Sequence, residues 1–385
     1  MNQDTLLPFL PFAQPVFDEE TIAGVADVIR SRWVASGPWV TKFEQGLSDY
    51  CGGRPTRVMN SATAAMEIAL RIAGVGPGAD VITSAMSFFS SVNMIERVGA
   101  RPVFVDCELL SRNMDLDQVE RAITPKTRAI LPTHMSGLVC DMDRLYTLAT
   151  HHKLRVIEDA ALAIGSSWRG KAIGSFGDLV CFSFHPNKNI TSIEGGALIC
   201  NTSDEAKLAE QLRFHGIVRL ADGTRDVVHS TGKSNLPDVN ARVGVAQLAK
   251  LEAFNLRRRQ LVARYFERWH TDPQCLLPHP GYKGDEAGHS WNMFAPLLPL
   301  DQMNLSRQQF MQALQQRGIG TGISYEALHL TSLARRAWGG REGQHPNAER
   351  ISRETVTLPL SAGMSEADVD RVCAAVTDVL REAKR

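Results

Sequence analysis

The sequence has no C-x-x-C pair, no surplus of either charge, no internal repeat and no long apolar run, and each absence removes a class of function. Its cysteines, at 51, 107, 140, 181, 200, 275 and 373, form an odd, dispersed set. That pattern speaks against a disulfide framework or a zinc site and for small buried hydrophobes. Lysine plus arginine equals aspartate plus glutamate at 42 each. No net field therefore draws the chain to nucleic acid or to an anionic membrane, and any phosphate recognition has to be local. No window approaches the roughly 18 apolar residues of a membrane span. Met1–Thr5 does not open a basic region followed by an apolar stretch, so the expectation is a cytoplasmic protein with no membrane partner.

What is present is an ordinary globular composition, 385 residues at 44% hydrophobic content, enough for a large core and for two domains. An apolar arm (Phe9-Leu10-Pro11-Phe12) precedes a helical pattern at Ile22, Val25, Val28 and Ile29 and a turn at Gly37-Pro38. A second helix is expected over 39 to 51. From residue 75 apolar strands at 80–83, 101–106, 127–132 and 155–159 alternate with helices at 88–97, 115–122 and 142–151. This alternation predicts a mostly parallel sheet covered on both faces, which binds ligands at the carboxyl ends of its strands. Residues 217 to 234 read as a long loop, and 238 to 268 as one long helix whose Arg257-Arg258-Arg259 forms a solvated face. A linker at 272–290, a strand at 290–297 and helices at 306–317 and 365–383 complete a smaller C-terminal α+β domain. The division is expected at 255/256, giving domains 1–255 and 256–385.

Three places carry chemistry. Lys188 stands between an apolar strand (Cys181, Phe182, Phe184) and a glycine pair (Gly195-Gly196). A lysine desolvated there has a lowered pKa and a free amine for Schiff-base chemistry; the bland alternative is a lysine snorkelling out of a turn. Ser61-Ala62-Thr63-Ala64 is a turn of small residues opening an alanine-rich helix. Its free backbone N–H groups could meet an anion, or Ser61 could be a simple cap. Asp159 ends a strand, where an acid either caps a helix or meets a cationic ring nitrogen.

These features, with Phe88 in the next strand–helix turn, resemble fold-type-I pyridoxal-phosphate enzymes. Glu158–Ala161, Gly170–Asp178, Ser183–Lys188 and Glu194–Gly196 are similar, in order and spacing, to the motifs of the DegT/StrS family of sugar aminotransferases. The resemblance spans essentially the whole chain. Within the family it is greatest to members that build 4-amino-4-deoxy-L-arabinose on a uridine nucleotide.

The resemblance implies an aspartate-aminotransferase-like α/β fold, pyridoxal 5'-phosphate as cofactor, and transfer of nitrogen from L-glutamate to a nucleotide-linked keto sugar. It assigns Lys188 as the covalent anchor and proton carrier and Asp159 as partner of the pyridine nitrogen. Phe88 stacks on the ring, and Ser61, Thr63, the Ala64 amide and Ser183 hold the phosphate. It places substrate contacts at Ser36, Leu162, His185 and His329. It also implies a homodimer with shared active sites, to which the partner lends Lys233 or Asn235. No metal is implied. Two positions depart from the family pattern: Leu162 stands where glutamine or histidine is usual, and Ile193 where glycine is frequent. The family also includes sugar dehydratases, in which histidine replaces the lysine, and non-enzymatic relatives. Lys188 and Asp159 favour transamination over both.

Overall fold

The alternation of apolar strands and helices builds a seven-stranded sheet with helices on both faces, seen in a computed structural model that describes residues 8–269, 275–282 and 284–384. The chain enters through α1 (Glu19–Ser31) and α2 (Pro38–Tyr50) and lays down β1 (Thr56–Met59) and α3 (Ala62–Ile72). It continues as β2 (Asp80–Ser84), α4 (Phe89–Arg97), β3 (Arg101–Val105), α5 (Leu116–Ala122), β4 (Thr127–Leu131), α6 (Met142–His151) and β5 (Arg155–Asp159). A small hairpin, β6 (Ser167–Trp168) and β7 (Lys171–Ala172), leads to β8 (Leu179–Ser183), β9 (Gly196–Ile199) and α7 (Ser203–Leu212). There follow β10 (Ile217–Arg219), β11 (Arg225–Val227), α8 (Asp238–Leu248), α9 (Leu251–Trp269), α10 (Arg307–Gln316), α11 (Ser332–Trp338), α12 (Pro346–Glu354) and α13 (Glu366–Glu382).

The sheet order is β1-β9-β8-β5-β4-β2-β3. Strands β2, β3, β4, β5 and β8 run parallel, and β9 runs antiparallel to both β8 and β1. Both faces are buried, so alternate side chains enter different cores. Ile82, Ile130, Val156 and Val180 face one, and their neighbours Val81, Ala129, Ile157 and Leu179 the other. A third core joins α9, α10 and α13 with Phe294 and Leu358. Because β5 and β8 are parallel and Asp159 pairs with Cys181, their carboxyl ends bring Asp159 and Ser183 to one edge.

Several expectations are corrected. The helix foreseen over 238–268 is two, broken at Ala249-Lys250, because α8 packs on α1 and α2 while α9 packs on α13. The loop at 217–234 contains the hairpin β10–β11, turned at Asp222-Gly223, where Gly223 has φ 85°. The segment at 290–297 is not a regular strand: Trp291 has φ 51°, and among the described residues it makes only single bridges, Phe294 with Leu358 and Leu297 with Leu276 and Thr355. Pro296 has no N–H with which to continue a ladder. Arg258 is not solvated: it is 3% exposed, and its Nη1 donates to the carbonyls of Trp291, Asn292 and Leu360. Residues 272–274 and 283 of the expected linker, and Met1–Thr5, lie outside the described residues. The seven cysteines are all buried free thiols. Among the described residues no helix is long and apolar enough to cross a membrane.

Candidate active site

Residues 184–195, between β8 and its antiparallel neighbour β9, form the loop that carries Lys188. Phe184 closes the loop, its N–H donating to Gly195 O at 2.9 Å and its carbonyl accepting from Ser192 N and Thr191 Oγ1, each at 2.9 Å. Ile193 sits at φ 67°, a left-handed conformation unfavourable for a β-branched residue. Its N–H is tied to Thr191 Oγ1 at 2.9 Å, which helps hold that conformation. Glycine would be unstrained there.

The Lys188 side chain enters a cavity of about 200 Å³. Burial disfavours the ammonium and lowers its pKa to about 8, and the attraction of Asp159 only partly opposes this. Part of the side chain remains open to the cavity. Among the described residues its Nζ has no hydrogen-bond or ion-pair partner.

Asp159, 2% exposed, faces the same cavity from the end of β5. The Ala161 N–H donates to Oδ1 and the Ser91 hydroxyl to Oδ2, both at 3.1 Å. Burial nonetheless raises its pKa, because two neutral donors do not replace a hydration shell. Ser91 is tied to Ser87 at 3.0 Å, and Ser87 to Thr133 at 2.7 Å, so a file of hydroxyls orients the carboxylate. Behind it the neighbouring Glu158 accepts from Tyr146 Oη at 2.6 Å and meets His134 Nε2 at 2.9 Å. Glu158 pulls that ring toward its charged form. His134 Nδ1, however, accepts the Cys140 N–H at 3.2 Å and so needs its lone pair, which fixes the neutral Nε2–H tautomer.

At the far end of the cavity α3 presents its N-terminus. Ser61 caps it, Oγ accepting the Ala64 N–H at 3.2 Å, so the simple-cap alternative is realised for that amide. The Ala62 and Thr63 N–H groups precede the first intrahelical bond, and both residues line the cavity. Gly196 explains the glycine pair: a Cβ there would lie 2.3 Å from Ala62 N and from the Ser61 carbonyl carbon.

Of the sequence-derived candidates, Lys188, Asp159, Ser61, Thr63 and Ser183 line this one cavity, and Phe88, Leu162 and His185 line it too. Ala64 takes part only through the amide that Ser61 caps. Two expected substrate contacts are not in the cavity. Ser36 donates to Leu236 O at 2.6 Å and accepts from Asn235 Nδ2 at 2.6 Å. His329, fully buried, pairs with Glu349 at 3.0 Å. Lys233 is exposed and Asn235 bridges Met59, both outside the lining of their own chain's cavity. Sequence reasoning missed Tyr325, which lines the cavity and packs edge-on to Phe88 at 5.6 Å between centroids. It also missed the Ser91 contact. Tyr325 is remote in sequence from every motif; Ser91, three residues after Phe88, is where one turn of helix could have been followed.

The profile of the DegT/DnrJ/EryC1/StrS aminotransferase family matches residues 15–377. The chain belongs to this family. It is 34% identical over 387 residues to the spore coat polysaccharide biosynthesis protein SpsC of Bacillus subtilis, covering 97% of this chain and 98% of that protein. A putative sugar aminotransferase from Streptococcus pneumoniae, in its PMP form, superposes with a TM-score of 0.90 at 30% identity, over 97% of this chain and 98% of that one. S. venezuelae DesV superposes with a TM-score of 0.87 at 31% identity, over 97% and 99%. DegT/DnrJ/EryC1/StrS aminotransferases depend on pyridoxal phosphate and have the fold-type-I architecture.

The cavity fits that cofactor. Among the described residues it has an amine with no hydrogen-bond partner for an aldehyde, a buried carboxylate bonded only to neutral donors for a ring N–H, and a helix N-terminus for a phosphate.

Proposed function

We propose that this protein transfers the amino group of L-glutamate to a nucleotide-linked keto sugar, with the keto group at C4, as a homodimer with shared active sites. The observation that carries this reading is the juxtaposition of the partnerless Lys188 amine and the buried Asp159 carboxylate in one cavity. The relatives' names support a sugar acceptor, since SpsC is a polysaccharide biosynthesis protein and the pneumococcal structure is called a sugar aminotransferase. The product then serves glycan, lipopolysaccharide or natural-product assembly, and the unpaired thiols suit a cytoplasmic setting. Residues 1–255 would hold the cofactor, and 256–385 form the smaller domain, which contributes Tyr325 to the cavity lining.

Pyridoxal phosphate, when bound, supplies an electron sink for the carbon that loses its proton. The rest is the work of this chain. Lys188, with its pKa lowered to about 8, would take the proton from the amino donor's α-carbon and deliver it to the cofactor's former aldehyde carbon, across the shared nitrogen. Asp159 holds a proton on the ring nitrogen, and its hydroxyl file keeps the carboxylate aimed. The α3 N-terminus and Ser183 bind the phosphate. Leu162 gives the sugar side of the cavity an apolar wall, and Phe88 and Tyr325 keep water from the ring.

The test is incubation with L-glutamate and a panel of 3-keto and 4-keto nucleotide sugars, reading the product by mass. An aminated 4-keto substrate is expected. Amination confined to 3-keto sugars would overturn the regiochemistry, and none with any keto sugar would overturn the function.

A further inference from the structure

Lys188 is flanked by two asparagines, and both are held from the C-terminal side of the chain. The Asn292 amide Nδ2 donates to Asn187 O at 3.2 Å and to Asn189 Oδ1 at 2.9 Å. Asn189 Nδ2 in turn donates to Ser290 O at 2.8 Å and to Asn255 Oδ1 at 2.7 Å, and Asn255 Nδ2 reaches Ile164 O at 3.4 Å. Each amide has its orientation fixed by a backbone carbonyl that can only accept: Asn187 O, Ser290 O and Ile164 O. The network is thus directional. It is also dry, since Asn189, Asn255 and Asn292 are 4%, 0% and 6% exposed.

One end is the carbonyl of Asn187, next to Lys188, and the other is the carbonyl of Ile164, five residues beyond Asp159. Ile164 follows the Asp159 turn, and Gly165 next to it has φ 84°, where a Cβ would meet Asn255 Nδ2 at 1.8 Å. Arg258, one turn along α9 from Asn255, grips the carbonyls of Trp291 and Asn292 and so anchors the segment from which Asn292 projects. A buried guanidinium hydrogen-bonded to carbonyls, with no carboxylate partner among the described residues, is costly to keep, and here it ties down this one segment.

We infer that Asn292, through Asn187 O and Asn189, is a positioning residue for the Lys188 amine, and that the Asn189–Asn255–Asn292 amides fix that amine relative to Asp159. The inference rests on Lys188 being the reacting amine. It adds that Ser290 and Asn292, which are not in the lining of the Lys188 cavity, set the amine's position from the C-terminal part of the chain.

The experiment compares holoenzymes of Asn292→Ala, Asn189→Ala and the double variant by single-turnover reaction with L-glutamate, alongside cofactor dissociation constants and melting temperatures. In parallel, cofactor-free samples are treated with an acylating reagent across pH, and Lys188 modification is followed by mass. The expected result is a rate about 10- to 100-fold lower in each single variant at an unchanged KM for glutamate, as follows from a displaced reacting group. The double variant should be no slower than the slower single one, because the pair acts as a unit. The midpoint pH of Lys188 modification should shift in all three. Single-turnover rates within twofold of the unsubstituted enzyme overturn the inference. So do losses that multiply in the double variant, or losses that only track cofactor release and melting with the Lys188 midpoint unmoved. Should Asn292→Ala fail to fold, Asn292→Ser, whose hydroxyl is too short to reach both acceptors, is read in the same way. If Lys188 is not the reacting amine, Lys188→Ala retains turnover, an outcome separate from any of these.

Discussion

A lysine amine without a partner, inside a protein, is unstable as an ammonium and therefore reactive as an amine. Lys188 has a folded pKa of about 8 against 10.5 for a free lysine, so between these values the folded chain binds fewer protons than the unfolded one. Stability contributed by this group consequently rises with pH across that window and is lowest below it. Lys188→Met in the cofactor-free protein is expected to raise stability at pH 7 by about 1 kcal/mol, discounted for the side chain's partial access to solvent. Melting curves should show the advantage shrinking as pH rises from about 8 towards 10.5. The same variant should lose turnover and the cofactor that borohydride otherwise fixes to the chain. Full turnover would remove Lys188 from the mechanism. For Asp159→Asn, pyridoxal phosphate should still bind, with kcat lower by about 100-fold or more, roughly 2.7 kcal/mol of barrier. Near-normal kcat would mean that another group partners the ring nitrogen.

At the scale of elements, the site depends on how closely β9 approaches α3. Gly196 leaves no room for a side chain against Ala62, so Gly196→Ala must push the helix start outward. The expected cost is about 1–3 kcal/mol of stability, as for other overpacked sites. Binding of pyridoxal phosphate should weaken at least about tenfold because the α3 amides move, a loss of roughly 1.4 kcal/mol. A cofactor titration checks this, and unchanged affinity would show that the α3 amides do not hold the phosphate. The anion-ready turn and its glycine partner were each visible in the sequence, Ser61–Ala64 as a helix start and Gly195-Gly196 as a pair. Their contact was not visible, because β9 reaches β1 only through the sheet order.

At the scale of the molecule, apolar side chains remain uncovered, with Trp33 61%, Ile29 58% and Val228 48% exposed. The proposed function requires a second copy of the chain, which could cover such side chains. Mixing equal amounts of Lys188→Ala and Asn235→Ala chains tests whether the site is shared. Each variant alone should be inactive. After random reassortment one site in half of the dimers is intact, so activity should return to about a quarter of that of the unsubstituted enzyme. No recovery, with reassortment confirmed by native mass, would count against shared sites.

The sequence by itself determined the strand–helix alternation, the two-faced burial of the sheet, and the motifs around Asp159 and Lys188. These are local patterns of apolarity and turn chemistry, written in neighbouring residues. It misjudged Arg258 because a basic triplet looks solvated until the carbonyls of Trp291, Asn292 and Leu360 arrive from elsewhere in the chain. It offered Ser36 and His329 as substrate contacts and could not show that within one chain Asn235 donates to Ser36 and Glu349 pairs with His329. Only the tertiary structure decided that Tyr325 faces the cavity and that Asn292 grips both neighbours of Lys188. The physical reason is sequence separation: nothing local to residues 292 or 325 records what the fold brings beside them.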